Sequence, residues 1–127
     1  MDASTSASQR VVIVGASDKP DRFAYRALRS LRQHGHEVIP INPVLDQIDG
    51  IAVLKDLADV TGAVDTVTMY VGAKTSAGLT DKLTALKPAR VIFNPGAENP
   101  ELSARLEAHG VHATNDCTLV MLSSGEF

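Results

Sequence analysis

Residues Val11 to Arg22 read VVIVGASDKPDR. An apolar β-branched run, Arg10 to Val14, stops at Gly15, and a polar, partly basic segment follows. A continuous apolar run of this length fits a central strand buried on both faces. The glycine then turns the chain toward a helix. Dinucleotide-binding domains carry G-x-G-x-x-G at this junction. Here Gly15 is followed by Ala16, Ser17 and Asp18, so the second and third glycines are absent.

Strand and helix patterns alternate outward from this point. Phe23 to His34 places Phe23, Ala24, Ala27, Leu28 and Leu31 at helical spacing, and Gly35 supplies a C-terminal stop. Glu37 to Ile41 reads as a second strand closed by Asn42-Pro43. A turn at Asp49-Gly50 precedes a short strand at Ile51 to Val53 and a short helical piece ending near Leu57. Val64 to Val71 and Arg90 to Phe93 read as strands, and Ser76 to Leu86 and Pro100 to His109 as helices. Val111 to Ala113 is a last short strand, and Cys117 to Leu122 a final helical segment. Such alternation predicts βαβ units with right-handed crossovers. The expected fold is α/β and doubly wound: a mainly parallel five-stranded sheet with helices on both faces. One domain over residues 10–127 is expected, with residues 1–9, rich in Ser, Ala and Thr, as a disordered lead-in.

Composition narrows the function. The formal net charge is −3, which argues against a general nucleic-acid binder. One cysteine excludes an internal disulfide framework and an all-cysteine metal site. No apolar run approaches the ~18 residues of a membrane span, and the N-terminus lacks the apolar centre of a signal peptide. A cytoplasmic protein is expected, and the oligomeric state is left open.

In doubly wound sheets, ligands sit beyond the carboxyl ends of the strands. The segments there are Gly15-Ala-Ser-Asp-Lys-Pro20, Asn42-Pro43, Gly72-Ala-Lys-Thr-Ser76, Asn94-Pro-Gly-Ala-Glu-Asn99 and Asn115-Asp-Cys117. Gly15 allows a sharp turn and close approach to the backbone. Ser17 and the following amides open a helix, a natural anion site, with Lys19 and Arg22 beside it. An ordinary strand-to-helix turn with solvated Lys and Arg explains the same residues. A dinucleotide-binding domain would place Asp or Glu near the end of the second strand for the ribose hydroxyls. Asn42 stands there, which disfavours NAD and tolerates a phosphorylated ribose, though Asn42-Pro43 is also a plain turn. Lys74 is a second cation for phosphate or a solvated loop residue. Gly96 again permits close approach.

Cys117 would serve as a nucleophile only with a base nearby. His34, His36, His109 and His112 all flank helix ends, away from that edge, and their spacing does not fit a compact metal motif. No metal is assigned. A helix starting at Cys117 would favour its thiolate and Asp116 would oppose it, so a modestly reactive thiol and a buried, inert one both stay open.

Gly15-Ala-Ser-x-x-Pro20 with Arg22, Tyr25-Arg-Ala-Leu28 and Val38-Ile-Pro-Ile-Asn-Pro43 resemble the small stand-alone CoA-binding domain family. The resemblance continues through Ile48-Asp-Gly50, Val64-Asp65, Asn99-Pro-Glu101 and Asn115-Asp-Cys-Thr-Leu-Val-Met-Leu-Ser-Ser-Gly125. Tyr70-Val-Gly-Ala73 is similar to the Tyr-Val-Pro-Ala loop of the succinyl-CoA synthetase α subunit, with Gly72 in place of proline. Asn94-Pro95 stands where many members carry Gln or a hydroxyl residue. The resemblance implies a Rossmann-like fold binding coenzyme A. Adenosine and phosphates would contact Gly15, Ala16, Ser17, Lys19, Pro20, Arg22, Asn42 and Pro43. The pantetheine arm would cross Val71, Gly72, Lys74, Asn94, Pro95 and Gly96 toward Asn115 and Cys117. The synthetase's phosphorylated histidine lies in a second domain not expected within these residues, so ligase activity is not carried over. The expected function is non-catalytic binding of coenzyme A or an acyl-CoA. The alternatives are an NAD(P)-type redox regulator and a subunit of an acyl-CoA enzyme using Cys117.

Overall fold

The computed structural model describes residues 8–127. Five strands, β1 (Arg10–Val14), β2 (Glu37–Ile41), β5 (Thr66–Met69), β6 (Arg90–Phe93) and β7 (His112–Asn115), form one sheet in the order β2-β1-β5-β6-β7. Every neighbouring pair is parallel. A small antiparallel hairpin, β3 (Gln47–Ile48) with β4 (Ile51–Ala52), turns at Asp49 and Gly50. Both turn residues have positive φ, +50° and +80°, as an Asp-Gly type I′ turn requires.

The period-2 alternation of β1 divides the core. Val11 and Ile13 face α1 (Phe23–Gln33) and α5 (Thr118–Ser124), meeting Ala24, Leu28, Leu31 and Leu122. Val12 and Val14 face the other layer, meeting Leu83 of α3 (Thr80–Leu86) and Leu102 and Leu106 of α4 (Pro100–Ala108). Helices therefore cover both faces, and the β-branched run of β1 is buried on both sides.

The segment expected as one helix, Ser76 to Leu86, is broken. Ser76 ends α2 (Ala73–Ser76), a 3-10 turn follows at Ala77–Leu79, and α3 takes up the rest. Gly78, with its low helix propensity, lies in that break. The last strand lies slightly beyond its expected place, at His112–Asn115 instead of Val111 to Ala113. The expected disordered lead-in falls mostly outside the described residues, but Ser8 and Gln9 correct its boundary. Ser8 Oγ donates to the Gly35 carbonyl at 2.8 Å, and the Gln9 amide donates to His36 Nδ1 at 3.0 Å.

Register brings the strand ends level: Val14 pairs with Ile41 and Met69, Met69 with Phe93, and Phe93 with Asn115. All the loops after the strands therefore emerge at one edge. The direction in which successive strands are added across the sheet reverses between β1 and β5, since β1 leads to β2 on one side and β5 to β6 on the other. Their diverging loops leave a crevice at this switch point.

Candidate functional site

A cleft of about 540 Å³ occupies the switch point. Its walls are Gly15 to Lys19, the first residues of α1, the Asn42 to Leu45 loop, Tyr70 to Gly72, and Pro95 to Ala97. The loop after β1 forms its base. Gly15 has φ +86°, and a Cβ there would lie 2.8 Å from Val71 Cγ1 and 3.0 Å from the Tyr70 carbonyl oxygen. Glycine is thus required for close packing of two loops, a more specific role than the ligand approach expected from sequence. The Ala16 amide donates to the Ile41 carbonyl at 3.1 Å. Ser17 Oγ accepts the Lys19 amide at 3.1 Å, which folds the loop into a tight turn before α1.

Arg22 occupies the N-cap of α1 in an extended conformation, and no side chain caps the helix. The first-turn N–H groups have no partner inside the helix and carry the positive end of its dipole. The first turn contains no acidic residue. Lys19 and Arg22 are exposed, and neither forms an ion pair among the described residues. Asp18, also on the wall, offsets part of this charge. The net arrangement favours a ligand anion with two flanking cations.

Asn42 lines the cleft, but its side chain is largely spent on the protein. Nδ2 donates to the Ala16 carbonyl at 2.8 Å, and Oδ1 accepts the Val44 and Leu45 amides at 2.8 and 3.0 Å. Both oxygen lone pairs are used, leaving one amide hydrogen. The residue read as a ribose partner therefore shapes the cleft by joining the loops after β1 and β2. Lys55 braces the same lip, donating to the Val44 carbonyl at 2.9 Å and to Asp46 Oδ1 at 2.8 Å. The hydrogen bond from Lys55 holds the Asp46 carboxyl below its ordinary range.

Asn94 is committed to the protein more fully. It is buried, its Nδ2 donates to Thr68 Oγ1 at 2.7 Å and to the Met69 carbonyl at 2.9 Å, and its Oδ1 accepts the Thr118 amide. Every polar valence it has for donation is internal. Lys74 on α2, Pro20, Asn115 and Cys117 also fall outside the lining, whereas Pro43, Val71, Gly72, Pro95 and Gly96 are in it. Cys117 is half-buried at the N-cap of α5, and its own amide donates to Asp116 Oδ1 at 2.8 Å.

Several lining residues were not singled out from sequence. Phe23, one of the apolar residues at helical spacing, is 64% exposed, and Val44 is 79% exposed. Both stand on the cleft wall and give it an apolar edge. Tyr70 supplies another wall, and burial pushes its phenol up to about 12, partly offset by hydrogen bonding to the Thr118 and Thr68 hydroxyls. It therefore stays a protonated donor near neutrality. Proximity in the fold, not a motif, identifies Phe23 and Val44, whereas Tyr70 opens the Tyr70-Val-Gly-Ala73 loop already quoted from the sequence. Among the described residues, no group of three or more His, Cys, Asp or Glu could hold a metal. No helix there is long and apolar enough to cross a membrane.

A parallel sheet of this order, with a basic loop and a helix N-terminus at its switch point, defines a Rossmann-like α/β domain. The chain belongs to the CoA binding domain family, whose model matches residues 9–123. It is similar to the uncharacterized protein YneT of Bacillus subtilis, 26% identical over 103 residues, spanning 81% of this chain and 76% of that one. A solved uncharacterized protein is 39% identical, with TM-score 0.92, covering 96% of this chain and all (100%) of the other. The dinucleotide forming acetyl-coenzyme A synthetase 1 of Ca. Korarchaeum cryptofilum, in complex with phosphate and ADP, is 25% identical with TM-score 0.71. The match covers 83% of this chain and 25% of the synthetase.

Proposed function

We propose that the cleft binds coenzyme A or an acyl-CoA and does not turn it over. One observation carries this reading: the uncapped start of α1, flanked by Lys19 and Arg22, opens onto the switch-point cleft of a CoA-binding-domain chain. The diphosphate sits against the Gly15–Lys19 loop and the helix start. The exposed faces of Phe23 and Val44 offer an apolar edge for the base. The pantetheine arm leaves past Val71, Gly72, Pro95 and Gly96 toward Cys117. NAD is disfavoured because the end of β2 carries Asn42, which braces the loops, in place of a carboxylate for the ribose.

Support for non-catalytic binding is the composition of the site. Its lining holds no histidine, and Asp18 is its one carboxylate among the described residues. His34 and His109 follow α1 and α4, while His36 and His112 precede or open β2 and β7, at the opposite edge. A base for Cys117 is therefore not supplied by histidine. Acetyl-CoA incubated with the protein should be recovered intact over many hours. Multiple turnovers that vanish in Cys117→Ser would overturn the non-catalytic reading while leaving CoA binding in place.

A further inference from the structure

The outer face of α1 carries a ridge of four arginines, of which the cleft accounts for Arg22 alone. Arg22, Arg26, Arg29 and Arg32 are all exposed. Their spacing of four, three and three residues keeps them within about a third of the helix circumference, over roughly 15 Å. Ala24, Ala27, Leu28 and Leu31 form the opposite, buried face. The helix contains no Asp or Glu, so nothing on it neutralises the ridge. Among the described residues none of the four arginines is in an ion pair.

Folding alone gives no reason for this arrangement. Like charges three and four residues apart weaken a helix. Arg22 and Arg26 also lie near the positive end of the dipole, which they oppose. The side chains are held ready nonetheless. Arg26 lies over the Phe23 ring at 5.6 Å, and Arg29 over the Tyr25 ring at 6.0 Å. Asp49 accepts the Tyr25 hydroxyl at 2.9 Å, and a hollow of about 330 Å³ remains between Asp49 and Arg29, Arg32 and Gln33. Guanidinium groups fork onto carboxylates in paired hydrogen bonds, which a ridge of lysines would do less well.

We propose that this ridge docks a carboxylate-rich helical segment of a partner protein. A helix with acids at the same three- and four-residue spacing matches the ridge in both length and period. A polynucleotide fits less well: it would extend past the ridge, over a chain whose net charge is −3, with Asp18 and Asp21 before α1 and Asp49 beside Arg29 and Arg32. Docking on Arg26, Arg29 and Arg32, which lie outside the cleft lining, does not require the cleft to hold a ligand. Arg22, at the junction of ridge and cleft, would place the partner next to the ligand.

The probe is a synthetic helical peptide with Glu along one face over about three turns, alongside a peptide of the same composition in scrambled order and a short DNA duplex. The full chain should bind the patterned peptide at low salt, more weakly as salt rises. The triple variant Arg26→Gln, Arg29→Gln, Arg32→Gln should lose about tenfold or more of that affinity. It should keep its stabilisation by CoA, since Arg22 is intact, so a failed cleft assignment and a failed ridge assignment give different results. Absent peptide binding, equal binding by the triple variant or the scrambled peptide, or tighter binding of the duplex would each overturn the proposal.

Discussion

Thr118 donates its backbone N–H to Asn94 Oδ1 at 2.9 Å, joining the start of α5 to the end of β6 across 24 residues of sequence. Both residues are buried, and Thr118 Oγ1 also meets Thr68 Oγ1 at 2.8 Å. The same Asn94 side chain donates to Thr68 and Met69. One amide therefore holds β5, β6 and α5 in place at the edge where the cleft opens. Asn94→Ala would leave several buried polar groups without partners and should cost roughly 2–4 kcal/mol in urea denaturation. CoA affinity measured on the folded variant should change by less than about threefold. Unchanged stability with a large loss of affinity would instead make Asn94 a ligand contact.

Gly15 gives a second prediction because its role is packing. With φ +86° and a virtual Cβ 2.8 Å from Val71, Gly15→Ala should destabilise by about 1–3 kcal/mol and weaken CoA binding, since the two loops are cleft walls. Gly72→Ala is the control. Gly72 has φ −70° and nothing within 4 Å of its Cβ position, so its cost should stay below about 1 kcal/mol. Equal effects of the two changes would show that loop packing does not select glycine at position 15.

The third prediction concerns pH. His36 is buried against the Phe127 ring, with centroids 5.1 Å apart, and its Nδ1 accepts the Gln9 amide, which requires that nitrogen to be unprotonated. Burial lowers its pKa below the ordinary 6.5, and His34 and Arg90 push the same way. The folded state then binds a proton less readily than the unfolded chain, so stability rises with pH through this range. The contribution is fully present above about 6.5 and fades as pH falls toward and below the folded value. Denaturation midpoints should drop from about pH 7.5 to about pH 5, and less so in His36→Asn, whose side-chain oxygen can still accept the Gln9 amide. An equally steep fall in His36→Asn would assign the acid sensitivity to other groups.

Much of the fold is legible in the sequence where local pattern and tertiary need agree. β1, β2 and β6 end where their apolar runs meet Gly15, Asn42 and Asn94. The break at Gly78 is less legible, because the apolar spacing of Ser76 to Leu86 continues through it. Phe23 misleads for a related reason. Its spacing matches the buried stripe, yet at the first position of α1 it projects beyond the sheet edge, at the cleft. The site divides similarly. Gly15, Lys19 and Arg22 follow from strand, turn and helix in order. The bracing roles of Asn42 and Asn94 depend on partners 24 and 26 residues away, at Thr118, Ala16 and Thr68, which no local motif specifies.

The central claim is that the switch-point cleft takes CoA through the start of α1. Calorimetric titration of CoA and NAD into the wild-type chain and into Arg22→Ala tests it most directly. CoA should bind saturably and about tenfold or more tighter than NAD, and Arg22→Ala should weaken CoA roughly ten- to a hundredfold through loss of a charge-assisted hydrogen bond. NAD binding tighter than CoA, or CoA giving no saturable heat, would contradict the account.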